Sequence, residues 1–564
     1  MAAHSLTPQQ QAALTVGSGY WTTQAVPGVP SIVLSDGPHG LRRQPADGDN
    51  LGLGDSEPAT CFPPAVALGS SWDPSLVAEV AAAIGDEARA AGVHVVLGPG
   101  VNLKRSPLCG RNFEYYSEDP LLSGELGAAW VRGLQSRGVG ASLKHFAVNN
   151  QETARMTVSA EVDERTLREL YLPAFERIVT RERPWTVMAA YNALNGVPAA
   201  EHRWLLTELL RGEWGYEGAV ISDWGAVAHR GRSLEAGLDL EMPGPQPSSI
   251  DEALAVDPAI LRSSTERIAA LVERAGPAGG EVDLDAHHAL ARRAAAESIV
   301  LLRNEGGLLP LDPSEPVAVI GALARDPRIQ GAGSSLVNPT RLDTPLAAIS
   351  AVAPTTFAES LEDAVAAARE ARTAIVFAGL LPGDESEGFD RHHLDLRVEQ
   401  VEVIRAVAAA NPRTVVVLSN GGVVSLEGWH DQAAGILETW LLGQAAGTAI
   451  ADVLFGAAEP GGRLAETIPL RLQDTPSYLN FPGDGATVFY GERLFVGYRH
   501  YETVDVPVRY PFGFGLGYTT FEFADLVVRG HDVEVTVTNT GARDGAEVVQ
   551  VYVGAPGGRG VAPR

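Results

Sequence analysis

Two acidic segments of the chain could supply the paired carboxylates that acid–base hydrolysis needs. In the first, a short apolar run at residues 219–221 is followed closely by Asp223 and Trp224, so a buried strand would end in a carboxylate beside an aromatic ring. The second, which we call the acidic loop, spans residues 383–391 and carries Asp384, Glu385, Glu387 and Asp390. Crowded carboxylates raise one another's pKa, as a general acid requires, while an ionised carboxylate can attack an electrophilic carbon.

Both segments also have plainer interpretations. Asp is a favoured residue at the start of a helix, so Asp223 could cap the helix that follows the strand. The acidic loop could be a solvated group of charges. Spacing alone leaves these interpretations open.

The elements around Asp223 favour catalysis because they place polar residues where a sheet ends. Residues 1–276 alternate short apolar runs with amphipathic helices, a pattern typical of a parallel α/β sheet and, at this length, of a (β/α)8 TIM-type barrel. The predicted strands are residues 32–34, 93–97, 141–143, 187–190 and 219–221; Gly98 and Pro99 follow the second, and polar residues directly follow the other four. Catalytic residues of such barrels lie at the C-terminal ends of the strands.

Three further regions follow the predicted barrel. Residues 277–290 form a predicted linker, and residues 291–479 again alternate strands and helices, which predicts an open α/β sandwich. A Gly-, Pro- and Tyr-rich stretch at residues 480–518 is expected to run over the surface as a second linker. Period-two alternation at residues 533–538 and 548–553 predicts the start of a β-sandwich in residues 519–564, which we expect to be a short domain of the fibronectin type III kind. Its shortness means either that the sandwich is truncated or that a β layer packs incompletely on the other domains.

Composition limits the ligands that the protein can bind. A net charge of −27 repels phosphate groups, so we expect neither nucleic acid nor a membrane as partner, and a ligand that is neutral or cationic. The first residues lack the features of a secretory signal, and no apolar run is long enough to span a membrane, so a cytoplasmic location is expected. Cys61 and Cys109 are expected to be buried, unpaired thiols.

Six segments of the chain, taken together, resemble glycoside hydrolase family 3, the β-glucosidase family. They follow the family's order and are SDGPHGLR at residues 35–42, GRNFEYYSEDP at 110–120, KHF at 144–146 with NNQETAR at 149–155, ISDW at 221–224, EGFDR at 387–391 and RYPFGFGLGY at 509–518. The resemblance implies a retaining exo-acting β-glycosidase that releases terminal β-D-glucose from a small β-glucoside or oligosaccharide by double displacement.

The resemblance also assigns the two carboxylates. Asp223 matches the nucleophile, and Glu387, directly before Gly-Phe-Asp-Arg, matches the acid/base that the second domain supplies. Glu385 is the competing candidate, but it lies two residues too early in the motif. The active site would therefore form between two domains.

Other positions match residues of the family that bind sugar. Asp36 resembles the acceptor for the 4- and 6-hydroxyls, Lys144 and His145 the paired hydroxyl donors, and Trp224 an aromatic wall. The remaining matches are the site arginines Arg42, Arg111 and Arg155, Tyr191 near the nucleophile, and a second-domain serine, either Ser334 or Ser335, with Ser335 as our assignment.

Alternative functions remain at this point. A β-xylosidase of the same family would differ in how the cavity treats the C6 hydroxymethyl group. A β-N-acetylglucosaminidase is disfavoured because the family's His-containing loop after Lys-His-Phe is replaced here by Ala147, Val148, Asn149 and Asn150. A degenerate, carbohydrate-binding relative with little activity is the alternative from another class.

Neither a cofactor nor a metal is expected. Gly331 and Gly333 are not part of a strand–loop–helix fingerprint with a third glycine, so they do not indicate a dinucleotide site. The doublets His287–His288 and His392–His393 lack the spacing of metal ligands.

Overall fold

A computed structural model of the chain describes residues 5–44, 56–246 and 248–554. Parts of two predicted domains lie outside these residues. They are residues 1–4, 45–55 and 247 of the predicted barrel domain and residues 555–564 of the predicted C-terminal β domain.

The first domain alternates strands and helices, as its sequence predicts. Its strands are β1 (Leu34–Asp36), β2 (Val95–Leu97), β3 (Gly140–Phe146), β4 (Ser159–Glu161), β5 (Thr186–Ala189), β6 (Ala193–Leu194), β7 (Val197–Pro198) and β8 (Ala219–Ser222). Its α-helices are α1 (Pro8–Leu14), α2 (Ala65–Ser71), α3 (Pro74–Ala90), α4 (Pro120–Gln135), α5 (Glu164–Thr166), α6 (Pro173–Glu182), α7 (Arg230–Ala236), α8 (Ser249–Ala255) and α9 (Pro258–Arg274). Leu167–Tyr171 and Trp204–Glu213 are π-helical.

The central sheet of this domain is parallel, with strand order β1-β2-β3-β5-β8. Single parallel bridges join Ile221 to Leu240 and Val16 to Glu241, and they continue the sheet beyond β8. In the described residues this central sheet has five regular strands and not eight, because the backbone between β8 and β1 pairs only through such single bridges. The domain is therefore an α/β fold, and its (β/α)8 closure stays a prediction.

Local sequence signals set the ends of the helices around this sheet. Asp73 caps α3 by accepting hydrogen bonds from the backbone N–H groups of Ser75 and Leu76, and Pro74 occupies the first helical position. Asp73 suits its position because the N–H groups in the first turn of a helix lack partners within the helix. Pro74 suits the first helical position because it has no N–H group to leave unpaired. Helices α3 and α4 pack closely, since Gly133 of α4 lies against the backbone of Ala78 in α3.

The second domain is a six-stranded α/β sheet with strand order β11-β10-β12-β13-β14-β9. Its strands are β9 (Val300–Asn304), β10 (Val317–Ile320), β11 (Thr355–Ala358), β12 (Thr373–Gly379), β13 (Thr414–Ser419) and β14 (Gly435–Glu438), of which β9 alone is antiparallel to its neighbour. Its helices are α10 (Leu284–Ser298), α11 (Pro345–Val352), α12 (Leu361–Glu370), α13 (Val398–Ala410) and α14 (Ala446–Leu454).

The two predicted linkers differ from the structure. Helix α10 begins at Leu284, so the second half of the predicted linker at residues 277–290 is helical. Residues 480–518 are not an irregular linker, because they form β16 (Thr487–Phe489), α15 (Tyr498–Val504) and β17 (Val508–Tyr510), of which β17 pairs with β15 (Ile468–Pro469). Strand β16 pairs in parallel with β4 of the first domain, and Val488, Tyr490 and Val496 are buried.

The described C-terminal residues form one antiparallel hairpin, β18 (Phe521–Arg529) with β19 (Asp532–Asn539). Residues 548–553, predicted as a strand, have no strand partner among the described residues and are extended without pairing. Side chains on the hairpin and on this segment are exposed, among them Phe523, Leu526, Val528, Val551 and Val553. A fibronectin type III-like sandwich is therefore not formed by residues 519–554.

Two smaller expectations concern cysteines and membranes. Cys61 and Cys109 are both buried and unpaired, which confirms the prediction. Across residues 5–44, 56–246 and 248–554, the helices are all too short or too polar to cross a lipid bilayer.

The contact between α3 and α4 gives a prediction for stability. A Cβ added at Gly133 would lie 2.2 Å from the carbonyl oxygen of Ala78. Gly133→Ala should therefore lower the free energy of unfolding by about 1–3 kcal/mol through overpacking, despite the better helix propensity of Ala. Calorimetry should show a lower Tm. The control is Gly212→Ala at an exposed position of the π-helix Trp204–Glu213, where the nearest atom to an added Cβ lies 3.5 Å away, and an equal loss there would contradict the packing argument.

Candidate active site

A cavity of about 350 Å³ lies at the C-terminal edge of the central parallel sheet, between the first and second domains. Every strand of that sheet contributes a residue to its wall at or just beyond the strand's end: Asp36, Leu97, Lys144 with His145, Met188 and Asp223. The second domain contributes Gly333, Ser334, Glu387 and Gly388. Residues far apart in the chain are therefore brought to one site by strand ends and by two loops of the second domain.

Asp223 follows β8 directly and is 7% exposed. Its Oδ1 accepts a hydrogen bond of 2.7 Å from the backbone N–H of Trp224, which fixes the carboxylate. Its buried Oδ2 has no hydrogen-bond partner among the described residues, and the imidazole Nε2 of His145 lies 3.7 Å from it. Burial raises the pKa of Asp223 above its ordinary value, and Arg111, Lys144 and Arg155 oppose that shift.

Glu387 reaches the cavity from the acidic loop of the second domain. Its Oε1 lies 2.8 Å from Arg155 Nη1 and 3.7 Å from Arg111 Nη1, and its Oε2 accepts a hydrogen bond of 2.6 Å from the backbone N–H of Ser334. Burial alone would raise the pKa of Glu387. The two arginines and Ser334 outweigh burial and lower this pKa well below its ordinary value, which favours the ionised form of Glu387.

Lys144, His145 and Arg111 form a buried basic wall. Glu114 neutralises part of it, since its Oε1 lies 2.8 Å from Lys144 Nζ and its Oε2 accepts from Arg111. Burial and the cations Arg111, Lys144 and Arg155 lower the pKa of His145 well below its ordinary value, so its imidazole is neutral. The wall therefore offers an ammonium, a guanidinium and a neutral imidazole to a ligand.

Asp36 supplies an acceptor on another side of the cavity. It pairs with Arg42, whose Nη1 lies 3.5 Å from Asp36 Oδ2 and also donates to the backbone carbonyl of Ser334. Burial raises the pKa of Asp36 to about 7, and Lys144 and Arg42 oppose the shift. A carboxylate of this kind can accept hydrogen bonds from ligand hydroxyls.

Comparison with known proteins identifies the family of this fold and site. The model of the glycosyl hydrolase family 3 N-terminal domain matches residues 48–275, and that of the C-terminal domain matches residues 299–518. The thermostable β-glucosidase B of Acetivibrio thermocellus is 48% identical over 97% of this chain and 77% of its own length. An exo-α-(1→6)-L-arabinopyranosidase of Bifidobacterium longum is 47% identical over 99% of this chain and 78% of its own length. The chain belongs to glycoside hydrolase family 3.

Solved structures agree with this family 3 membership. The crystal structure of the β-glucosidase of Bifidobacterium adolescentis, 47% identical, superposes with a TM-score of 0.94 and covers 100% of this chain and 85% of that one. β-Glucosidase 3B of Thermotoga neapolitana, solved in complex with glucose, is 35% identical and superposes with a TM-score of 0.93. The match covers 100% of this chain and 89% of that one.

The structure of this family 3 protein brings together nearly all the residues that the sequence singles out. Those that line the cavity are Asp36, Arg42, Arg111, Lys144, His145, Arg155, Tyr191, Asp223, Trp224 and Glu387. Ser335 does not line it, and the neighbouring Ser334 does, through backbone groups bonded to Glu387 and Arg42. Glu385, the competing acid, lies outside the cavity, where it accepts hydrogen bonds from Arg328 and from the backbone of Gly421.

Sequence reasoning missed two aromatic residues of the wall. Tyr20 and Trp21 line the cavity beside Trp224, and the ring centroids of Trp21 and Trp224 are 5.4 Å apart. They belong to a segment that pairs with the first domain's sheet through single bridges, so no strand pattern marked it. Burial and the charges of Asp36 and Asp223 raise the pKa of the Tyr20 hydroxyl to about 12.

Sequence reasoning also missed the buried carboxylates behind the arginines. Glu114 pairs with Arg111 and Lys144, and Glu152 Oε2 lies 2.7 Å from Arg155 Nη1. Both lie inside motifs that indicated the family, but nothing in their spacing assigned them a partner.

The histidine doublets have other partners. His287 pairs with Glu87, and His288 pairs with Asp343 and Gln444. Within the described ranges, no group of three or more His, Cys, Asp or Glu side chains is arranged to hold a metal ion.

Proposed function

We propose that this protein is a retaining exo-acting β-glucosidase, with Asp223 as nucleophile and Glu387 as acid/base, in a first domain of the (β/α)8 barrel type closed through single bridges. The observation that carries the proposal is the free oxygen of Asp223. It is a buried carboxylate oxygen without a hydrogen bond, on the wall of the same cavity that Glu387 enters from the opposite domain. An oxygen held in this way is available to form a bond with a ligand carbon.

The reaction would proceed in two displacements. Asp223 Oδ2 attacks the anomeric carbon of the sugar, the bond from that carbon to the leaving oxygen breaks, and Glu387 supplies the proton that the leaving alcohol needs. Glu387, now ionised, takes a proton from water, whose oxygen attacks the anomeric carbon and releases Asp223. The buried cations around Asp223 suit the first step, because they stabilise the ionised form of the nucleophile.

Glu387 must carry a proton for the first displacement and lose it for the second. The ion pair with Arg155 favours the ionised state, since it lowers the pKa of Glu387. Arg155 is shared with Glu152, so a sugar that enters the cavity can leave Arg155 paired with Glu152 while Glu387 takes up a proton. Sharing of this kind lets the pKa of one carboxyl group change during the reaction.

Glucose is the sugar that the site and the relatives favour. The wall offers a carboxylate at Asp36 and donors at Lys144, His145 and Arg111, which suits a ring with several hydroxyls. The relatives named above include β-glucosidases, one of them solved with glucose. The arabinopyranosidase at 47% identity favours an α-L-arabinopyranoside as the second candidate.

Variants of the two carboxylates test the mechanism. Asp223→Gly should lose at least about 10⁴-fold in kcat, because the attacking group is gone. Glu387→Ala should lose about 10²–10⁴-fold on substrates with poor leaving groups. With added azide, Asp223→Gly should form the α-glucosyl azide and Glu387→Ala the β-glucosyl azide, identified by NMR. Wild-type turnover by Asp223→Gly would refute the assignment, and sugar binding without turnover in the wild-type protein would indicate a binding protein.

A substrate panel tests the sugar. We expect kcat/KM to be highest for 4-nitrophenyl β-D-glucopyranoside. The β-D-xylopyranoside, which lacks the C6 hydroxymethyl group, should react at least about tenfold more slowly, since a site that binds a hydroxyl rejects analogues without it. The α-L-arabinopyranoside and the N-acetyl-β-D-glucosaminide complete the panel. Asp36→Asn should bring kcat/KM for the glucoside closer to kcat/KM for the xyloside, because Asp36 is the proposed acceptor for the 6-hydroxyl. If kcat/KM is highest for the arabinopyranoside, L-arabinopyranose and not glucose is the preferred sugar.

The Arg155–Glu387 pair predicts a shift in pH dependence. The first displacement needs protonated Glu387, so the alkaline limb of kcat/KM reports the pKa of this group. Arg155 lowers that pKa, and Arg155→Met should therefore move the alkaline limb to higher pH. The control is Arg132→Met, which removes a surface arginine 2.8 Å from Glu182 and should leave the limb in place. A limb unchanged in Arg155→Met would show that the pair does not set the pKa.

A further inference from the structure

Asp390 lies three residues after Glu387 in the acidic loop and is 6% exposed, but it does not line the cavity. Within the described part of the chain, the hydrogen bonds that its carboxylate accepts all come from backbone groups of the other domain. Oδ1 accepts from the N–H of Gly110 at 3.0 Å and of Glu152 at 2.9 Å, and Oδ2 accepts from the N–H of Glu152 at 3.1 Å and of Thr153 at 2.8 Å. One side chain of the second domain is thus bonded to two separate segments of the first.

These two segments carry the arginines of the site. Gly110 directly precedes Arg111, and Glu152 and Thr153 lie within the turn that leads to Arg155. Asp390 therefore connects the backbone on which Glu387 is held to the backbone on which both of its arginine partners are held. A change in these hydrogen bonds would change the distances between Glu387 and the two arginines.

Close packing supports the same contact. A Cβ at Gly110 would lie 1.9 Å from the carbonyl oxygen of Phe389 and 2.3 Å from that of Ser386, so the acidic loop touches the backbone of the first domain there. The N–H of Gly388 donates to Glu152 Oε2 at 2.8 Å, and the N–H of Arg391 donates to the carbonyl of Leu108 at 2.8 Å. The loop is thus bonded to the first domain on both sides of Asp390.

We propose that Asp390 is a positioning residue for acid/base catalysis, which fixes Glu387 over the first domain through its bonds to the backbone of Gly110, Glu152 and Thr153. The inference rests on the proposed function, because it assigns to Asp390 the placement of that function's acid/base. An ionised carboxylate accepts at both oxygens, whereas an amide presents N–H groups at one of them. Asp390→Asn would therefore set a donor against backbone donors with little change in shape.

The test separates misplaced acid catalysis from general destabilisation. Acid catalysis matters most when the leaving group is a poor one. We therefore compare kcat/KM for a series of β-glucosides from 2,4-dinitrophenyl, through 4-nitrophenyl and phenyl, to methyl. Asp390→Asn should lose about 10²-fold on methyl β-glucoside and less than about threefold on the dinitrophenyl substrate, in line with the cost of misplacing a catalytic group. Azide should accelerate the variant and yield some β-glucosyl azide.

Glu118→Gln is the matched control. Glu118 is also a buried carboxylate that accepts backbone N–H groups across the domain interface, from Thr467 at 2.9 Å and Tyr498 at 2.8 Å, but it lies outside the cavity and the acidic loop. The Glu118→Gln variant should have a lower Tm, but any loss in its kcat/KM should be the same for every leaving group in the series. If Asp390→Asn yields no folded protein, Gly110→Ala replaces it, since it keeps the carboxylate and displaces the same loop.

The outcomes distinguish the two proposals. Equal losses across the series in Asp390→Asn, with leaving-group dependence and azide rescue intact in Glu387→Ala, would overturn the role of Asp390 alone. Absence of both signatures in Glu387→Ala would overturn the proposed function itself. A leaving-group effect in Glu118→Gln as large as in Asp390→Asn would also overturn the role of Asp390, because it would show that any loosening of the interface has the same result.

Discussion

Charge neutralisation across the interface of the two domains is the constraint on which the site depends. Five carboxylates and four cations line the cavity or support its wall: Asp36, Glu114, Glu152, Asp223 and Glu387 with Arg42, Arg111, Lys144 and Arg155. A buried charge without a partner costs several kcal/mol, so these groups must be arranged together. Glu387 is the one member that the second domain supplies, and its partners are arginines of the first. Closure of the interface and assembly of the site are therefore one event.

The two central carboxylates are supported in different ways. Asp223 directly follows a buried strand, and one of its oxygens is fixed by the next backbone N–H. Glu387 belongs to a loop without regular structure, and its position depends on bonds that the loop makes to the other domain. A group that must gain and lose a proton benefits from partners that can be shared, whereas an attacking group benefits from rigid support. The fold places each carboxylate on the kind of element that suits its proposed task.

The sequence predicts the parts of this molecule that local patterns determine. The strand that ends just before Asp223 is found where expected, and the polar residues after the strands of the first domain meet at one edge because parallel strands end together. Family resemblance adds Glu387, which no local pattern distinguishes from Glu385. The structure separates the two, since Glu387 meets two arginines in the cavity and Glu385 pairs with Arg328 outside it.

What the sequence could not predict depends on contacts between distant residues. The stretch at residues 480–518 has the composition of a loop, yet Tyr490 is buried and its hydroxyl donates to the carbonyl of Val148. Tyr20 and Trp21 belong to the wall because their segment pairs through single bridges, and such bridges produce no alternating hydrophobic pattern in the sequence. The choice between Ser334 and Ser335 depended on the course of a loop, because it is the backbone of Ser334, not a hydroxyl, that meets Glu387.

The parallel pairing of β16 with β4 has a consequence for the order in which the molecule forms during synthesis. Residues 159–161 leave the ribosome more than 300 residues before the strand at residues 487–489 that covers their edge. Until then the nascent first domain exposes an open strand edge, which other chains can pair with. The second domain therefore has to be made before this edge of the first domain is covered. Expression of the first domain alone would leave that edge permanently uncovered.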